Sequence, residues 1–344
     1  MVDVNHKIMC LCGNRKLPLP SIQKSKDCFV LEIVCACATM SGINIRIYVM
    51  SEHLKFYAVV GNPIAHSKSP DIHAQFAAQC GIALRYKRVL APVEGFTDTV
   101  NQLRAAGLQG CNVTVPFKLD AFAYADVLSD AARWAGAVNT LTFKDDGKAY
   151  GDNTDGVGLV RDITRNLKAP INGKRVALLG AGGAGRGALA ALIKEAPSHI
   201  VLINRTEEKA RQTAREFNGL WREHPSVFPE GFGDIHIMEW TKLGYQESNF
   251  PNPEGMGFDV VINATSSGLS DSFTPIQNHG FYLNENALAY DMMYGKQTGF
   301  MTWAQSQGAQ VADGWGMLVE QAAASFQIWH GIAPDTAPLL QRGA

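Results

Sequence analysis

Gly180-Ala181-Gly182-Gly183-Ala184-Gly185 stands between a short apolar run, Arg175-Val176-Ala177-Leu178-Leu179, and an Ala/Leu-rich segment from Gly187 to Lys194. The order is strand, tight turn, helix. Residues without bulky side chains let the backbone approach a pyrophosphate, which would rest on the positive end of the following helix. A tight turn that holds no ligand is the other reading. Around this turn, strands predicted at 199–203, 259–262 and 287–290 alternate with helical segments. A helix at 156–167 leads in through Ala169-Pro170 and Asn172-Gly173. The outline is a Rossmann-type nucleotide-binding domain over 155–318.

Upstream, Phe56-Tyr57-Ala58-Val59-Val60 reads as a buried strand ended by Gly61-Asn62-Pro63. Ser69-Pro70 opens a helix carrying Ile72, Phe76 and Cys80, and Gly81 closes it. Strands are predicted at 84–90 and 110–115, a helical stretch after Pro116, and a hairpin around Asp145-Asp146-Gly147. The expected class is α/β: a first, substrate-side α/β domain over 50–154 with a mostly parallel sheet, then the nucleotide domain. A last helix over 316–330 has Leu318, Ala322, Phe326 and Trp329 on one stripe, so residues 319–344 are expected to return to the first domain. Pro, Gly and aromatics over 218–257 predict a long irregular excursion with one strand near 235–238.

Composition narrows the function. The 344 residues carry 31 Lys+Arg against 32 Asp+Glu, a net charge of −1. That leaves no basic footprint for nucleic acid and no polybasic membrane anchor. No apolar run approaches the roughly 20 residues that cross a bilayer. Cys10, Cys12, Cys28, Cys35 and Cys37 crowd the start, with only Cys80 and Cys111 beyond. A disulfide framework would spread through the folded body, so a reducing cytoplasm is expected. The two Cys-x-Cys pairs allow a zinc reading but lack finger spacing, so no metal is expected. Residues 1–49 read better as a non-native or disordered leader before a start at Met50.

Cofactor preference is read after the second nucleotide-domain strand. An NAD-binding domain usually presents an acid to the adenosine ribose there. This chain has Asn204-Arg205-Thr206, then Glu207, Glu208 and Lys209. Arg205 and Lys209, with an amide and a hydroxyl, suit a 2′-phosphate, so NADP is expected; a solvated helix start is the alternative. Three further segments concentrate polar groups. Ser67-Lys68-Ser69-Pro70 puts hydroxyls at a helix start, a seat for a carboxylate or an ordinary N-cap. Asn112-Val113-Thr114-Val115-Pro116-Phe117-Lys118 ends a strand with Thr114 and holds Lys118 in an apolar setting, where an amine serves proton transfer unless it is simply solvated. Gly151-Asp152-Asn153-Thr154-Asp155-Gly156 sets Asp155 at the domain junction, again with an N-cap as the other reading.

Together these blocks resemble the shikimate dehydrogenase family. The likeness runs from Met50 to the end through G-N-P-I-A-H-S-K-S-P (61–70), N-V-T-V-P-F-K (112–118), G-A-V-N-T (136–140), G-D-N-T-D-G (151–156), G-A-G-G-A (180–184), N-R-T (204–206), I-N-A-T-S (262–266), Y-D-M-M-Y (290–294) and 314–321. It implies reversible, NADP-linked reduction of 3-dehydroshikimate to shikimate, on the route to aromatic amino acids. It also implies roles. Ser67 and Ser69 would bind the substrate carboxylate, with Tyr294 closing over it. Thr114, Asn139, Asp155 and Gln321 would hold ring hydroxyls, and Lys118 with Asp155 would handle the proton. Gly180, Ala181, Gly182, Gly183 and Ala184 would cradle the pyrophosphate. Asn204, Arg205, Thr206, Glu207, Glu208 and Lys209 would meet the adenosine end, Met292 and Gly314 the nicotinamide, and Asp130 is a further cofactor position. The partner is then a small molecule, bound by a monomer or homodimer. An NAD-dependent quinate/shikimate dehydrogenase and a non-catalytic dinucleotide-binding module are the alternatives.

Overall fold

A computed structural model describes residues 23–25, 28–33, 45–49, 54–223, 234–240, 257–265 and 281–341. The chain forms two units, Met1–Leu54 and Lys55–Ala344. In the first, β1 (Gln23–Ser25), β2 (Cys28–Ile33) and β3 (Ile45–Val49) pair antiparallel in that order. These strands fall inside the expected leader; Cys10, Cys12, Cys35 and Cys37 lie outside the described residues.

The second unit opens with β4 (Lys55–Gly61), α1 (Ser69–Cys80), β5 (Leu84–Leu90), α2 (Phe96–Ala105), β6 (Leu108–Val113), α3 (Lys118–Tyr124), β7 (Val127–Leu128), α4 (Asp130–Ala135), β8 (Thr140–Phe143) and β9 (Ala149–Asp152). They build a six-stranded sheet in the order β5-β4-β6-β8-β9-β7. Central β4 is buried almost throughout, while edge strand β5 alternates with solvent. The strands β4, β5 and β6 run parallel, but β8 is antiparallel to both β6 and β9. The sheet is mostly parallel, as expected, with β8 alone reversed. Between β8 and β9 the turn around Gly147, whose φ is +78°, lets the chain reverse directly instead of crossing over through a helix.

Next, α5 (Asp155–Arg161) passes into a π-helical turn at Asp162–Asn166. There follow β10 (Arg175–Leu179), α6 (Gly183–Lys194), β11 (His199–Asn204), α7 (Glu207–Glu223), β12 (His236–Glu239), β13 (Phe258–Asn263), β14 (Leu283–Asp291), α8 (Gly299–Ser306), β15 (Gln310–Ala312), α9 (Trp315–His330) and α10 (Ala337–Leu340). The second sheet, β12-β11-β10-β13-β14-β15, is parallel throughout. Its strands are apolar because helices cover both faces. Val176 and Leu178 of β10 pack with Leu159 and Leu189, whereas Ala177 and Leu179 pack with Phe300. The expected excursion at 218–257 begins later than its composition suggests. Helix α7 continues through Glu223, and residues 224–233 and 241–256 lie outside the described residues.

Helix α9 joins the two sheets. Near its end, Trp329 Nε1 donates to Leu141 O at 3.1 Å and the ring stacks on Tyr57 at 4.7 Å. Gly110 permits this approach, since a Cβ there would lie 2.6 Å from Trp329 Nε1.

Candidate active site

Lys118 is the first residue of α3 and Asp155 the first of α5. Their side chains, 22% and 12% exposed, form an ion pair through Lys118 Nζ and Asp155 Oδ2. The other carboxylate oxygen, Asp155 Oδ1, accepts from Asn139 Nδ2 at 2.8 Å. Asp155 does not cap its own helix. Asn139 is buried and fixed in turn, because Thr154 N donates to its Oδ1 at 2.8 Å. Gln321 on α9 brings Oε1 to 3.4 Å from both Asn139 Nδ2 and Thr154 Oγ1, while its Nε2 donates to Leu318 O at 2.9 Å. A carboxylate held this way presents one fixed face to an ammonium and to whatever lies beside it.

A buried polar chain backs the pair. Ser325 Oγ lies 2.9 Å from Thr140 Oγ1 and 3.2 Å from Thr154 Oγ1, and Asn112 Nδ2 donates to it at 2.9 Å. Tyr86 OH donates to Asn112 Oδ1 at 2.7 Å. Asn112 and Thr154 sit inside sequence blocks already quoted. Tyr86 and Ser325 carry no local signal, since only the tertiary fold brings β5 and α9 here.

At the α1 end, Ser67 Oγ donates to Ser69 Oγ at 3.3 Å, and Ser69 is nearly buried. The N-cap residue is Lys68, which makes no side-chain cap bond, while Ser67 Oγ accepts from Ser69 N at 3.3 Å. Thr114 follows β6, and its methyl would lie 2.5 Å from a Cβ at Gly61. Tyr294 is half-buried beyond β14, edge-on to Trp315, and burial raises its phenol pKa.

The glycine turn joins β10 to α6. Gly180 has φ of +108°, a conformation that favours glycine, and a Cβ on Gly185 would fall 1.9 Å from Gly180 O. Gly182 and Gly183, by contrast, have nothing within 4 Å of such a Cβ. Helix α6 starts without a side-chain cap and without an acid in its first turn, so its amides suit an anion. Ala181 N donates to Asn204 Oδ1 at 3.2 Å, tying the turn to the end of β11.

Beyond β11, Glu207 pairs with Arg211 and Glu208 with Arg215. Those two acids are thus engaged along α7 instead of at the strand end. Arg205 and Lys209 are exposed and form no ion pair among the described residues. A phosphate would find backbone amides at the turn and two uncommitted cations beside it, a donor set that fits NADP. Met292 and Gly314 meet closely: Gly314 N donates to Met293 O at 2.8 Å, and a Cβ on Gly314 would lie 2.3 Å from Met292 O. Asp130 is exposed and pairs with Arg133 at 2.6 Å, so its carboxylate serves its own helix.

Among the described residues no group of His, Cys, Asp and Glu is placed to hold a metal ion, and no helix is long and apolar enough to cross a membrane.

Known proteins share this fold. Family models match for the shikimate dehydrogenase substrate binding domain at 59–141, shikimate / quinate 5-dehydrogenase at 162–225, and the shikimate 5'-dehydrogenase C-terminal domain at 314–342. A shikimate dehydrogenase (NADP(+)) of Methylobacillus flagellatus is 50% identical over 285 residues, 83% of this chain and 97% of the relative. Its namesake in Herminiimonas arsenicoxydans is 50% identical over 289 residues, 84% and 96%. Among solved structures, an Ael1 enzyme from Pseudomonas putida superposes with TM-score 0.71 and 38% identity, covering 84% of this chain and 98% of that one. A Thermus thermophilus shikimate 5-dehydrogenase in complex with NADP(H) and shikimate gives 0.68 and 29%, covering 85% and 100%. The chain belongs to the shikimate dehydrogenase family of NADP-dependent oxidoreductases acting on a CH-OH group.

Proposed function

We propose that this chain catalyses the reversible NADPH-dependent reduction of 3-dehydroshikimate to shikimate in aromatic amino acid biosynthesis, with Lys118 and Asp155 managing the proton. The observation that carries the reading is the Lys118–Asp155 ion pair, largely withdrawn from water and held by Asn139. When bound, NADPH supplies the hydride. The protein must then fix the substrate and move one proton at the reacting oxygen. In reduction the Lys118 ammonium gives its proton to the developing alkoxide. In oxidation the neutral amine takes the hydroxyl proton.

Asp155 orients the amine and accepts from a neighbouring substrate hydroxyl. Thr114, Asn139 and Gln321 hold the ring hydroxyls, Ser67 and Ser69 donate to the carboxylate, and Tyr294 closes over it. The amides of the glycine turn receive the pyrophosphate, Asn204, Thr206, Arg205 and Lys209 the adenosine end, and Met292 and Gly314 border the nicotinamide.

Initial rates with NADP and NAD against shikimate and quinate test the assignment. Shikimate with NADP is expected to be the preferred pair, and a preference for NAD with quinate would replace the reading. Lys118→Met is expected to lower turnover about 10²-fold or more with a smaller change in KM. Full turnover in that variant would remove Lys118 from the chemistry.

A further inference from the structure

One phenol, that of Tyr290, touches two elements besides its own strand. Tyr290 is fully buried near the end of β14, and its hydroxyl donates to Asp162 Oδ2 at 2.6 Å. The same oxygen accepts from Met317 N, in the first turn of α9, at 3.3 Å. Asp162 marks the point where α5 gives way to a π-helical turn, and its Oδ1 accepts from Asn166 Nδ2 at 2.9 Å. Single π-turns of this kind recur at functional sites. The first N–H of helix α9, that of Trp315, donates to Asp313 Oδ1 at 3.0 Å. Asp162 brings a second carboxylate to that helix start from the neighbouring helix, and the fit is close: a Cβ on Gly316 would lie 2.0 Å from Asp162 Oδ1. One turn away, a Cβ on Gly158 would lie 2.8 Å from Gln321 N, so α5 and α9 lock in register beside Gln321.

Each element tied by this phenol carries a residue of the site. Helix α5 begins with Asp155, β14 runs on to Met292 and Tyr294, and α9 carries Gln321. We propose that Tyr290 and Asp162 are positioning residues: their hydrogen bond sets the register of α9 on α5 and thereby aims the Gln321 amide at the substrate. This rests on the reading of Gln321 as a substrate ligand.

The test is a double-mutant cycle on the full-length enzyme with NADP and shikimate, using Tyr290→Phe and Gln321→Ala. Tyr290→Phe removes one oxygen and keeps the ring in its apolar seat. It is expected to raise the shikimate KM about tenfold, with kcat and the NADP KM changed less than threefold. In the Gln321→Ala background it is expected to add less than a twofold effect. Asp162→Asn is expected to reproduce the Tyr290→Phe pattern, and thermal unfolding of each variant separates positioning from loss of fold. Effects that multiply independently across the cycle, or equal losses for both substrates, overturn the proposal. An unchanged shikimate KM in Gln321→Ala alone overturns the underlying reading of Gln321, and this proposal with it.

Discussion

Two glycines of the same turn do different work, and substitution separates them. Gly185 allows α6 to close on Gly180 O, where a Cβ has no room. Gly182 faces open space. Gly185→Ala is expected to cost about 1–3 kcal/mol of stability, as overpacking of a rigid contact does, and thermal or urea unfolding would register it. Gly182→Ala is expected to leave unfolding nearly unchanged but raise the NADP KM about tenfold, some 1.4 kcal/mol of binding. Steady-state kinetics measure that shift, and unaltered cofactor binding would place the phosphates elsewhere. Lys118, Asp155 and the turn glycines were legible because each stands in a short block whose local geometry the neighbours dictate. Ser325 and Tyr86 were not, since their partners are set by tertiary contacts between α9, β5 and β6. Glu207, Glu208 and Asp130 show the converse: proximity in sequence to a motif says nothing about which way a carboxylate turns when an arginine lies one or two helical turns along.

At the level of elements, α1, β5 and α9 enclose His73. Its ring is fully buried and stacks on Tyr86 at 4.3 Å. Burial pushes its pKa down to about 3, against the smaller upward pull of the Asn112 amide and with a further downward push from His330. In the unfolded chain the ordinary value near 6.5 returns. The unfolded state therefore binds more protons between those values. Stability from neutral His73 is complete above about pH 6.5 and is lost as the pH falls toward 3. At pH 5 the deficit from this one ring is about 2 kcal/mol. Urea unfolding at pH 7 and pH 5 is expected to show that difference in the wild-type chain and to show it reduced in His73→Phe. An identical pH dependence in both would exclude His73 as its origin. The apolar stripe of α9 was legible from helical spacing alone. The short α4 and β15 were not, being too brief for a period to show, whereas the hairpin of β8 and β9 was, because Asp145-Asp146-Gly147 marks its turn.

For the whole molecule, the proposed ligands draw on both sheets, with α5 and α9 as the elements between them. Binding of shikimate and NADP together is expected to bring Tyr294 toward groups fixed on the first sheet. Small-angle scattering should then give a smaller radius of gyration with both ligands than with neither, and superimposable profiles would argue against closure. The class of fold was legible because apolar strands covered on both faces leave an unmistakable alternation with helices. The stripe of the last helix also pointed to its return to the first sheet, but the seat of Trp329 was not legible, since that depends on Gly110 making room for it.

That fastening has a consequence for how the polypeptide is made. The ring that stacks on Tyr57 and bonds to Leu141 belongs to α9, so the earlier-made sheet of this unit lacks its cover until that helix has left the ribosome. Through most of synthesis its sheet waits with an aromatic face bare. A message cut short before Trp329 would leave Tyr57 without its stacking partner and Leu141 O without its donor.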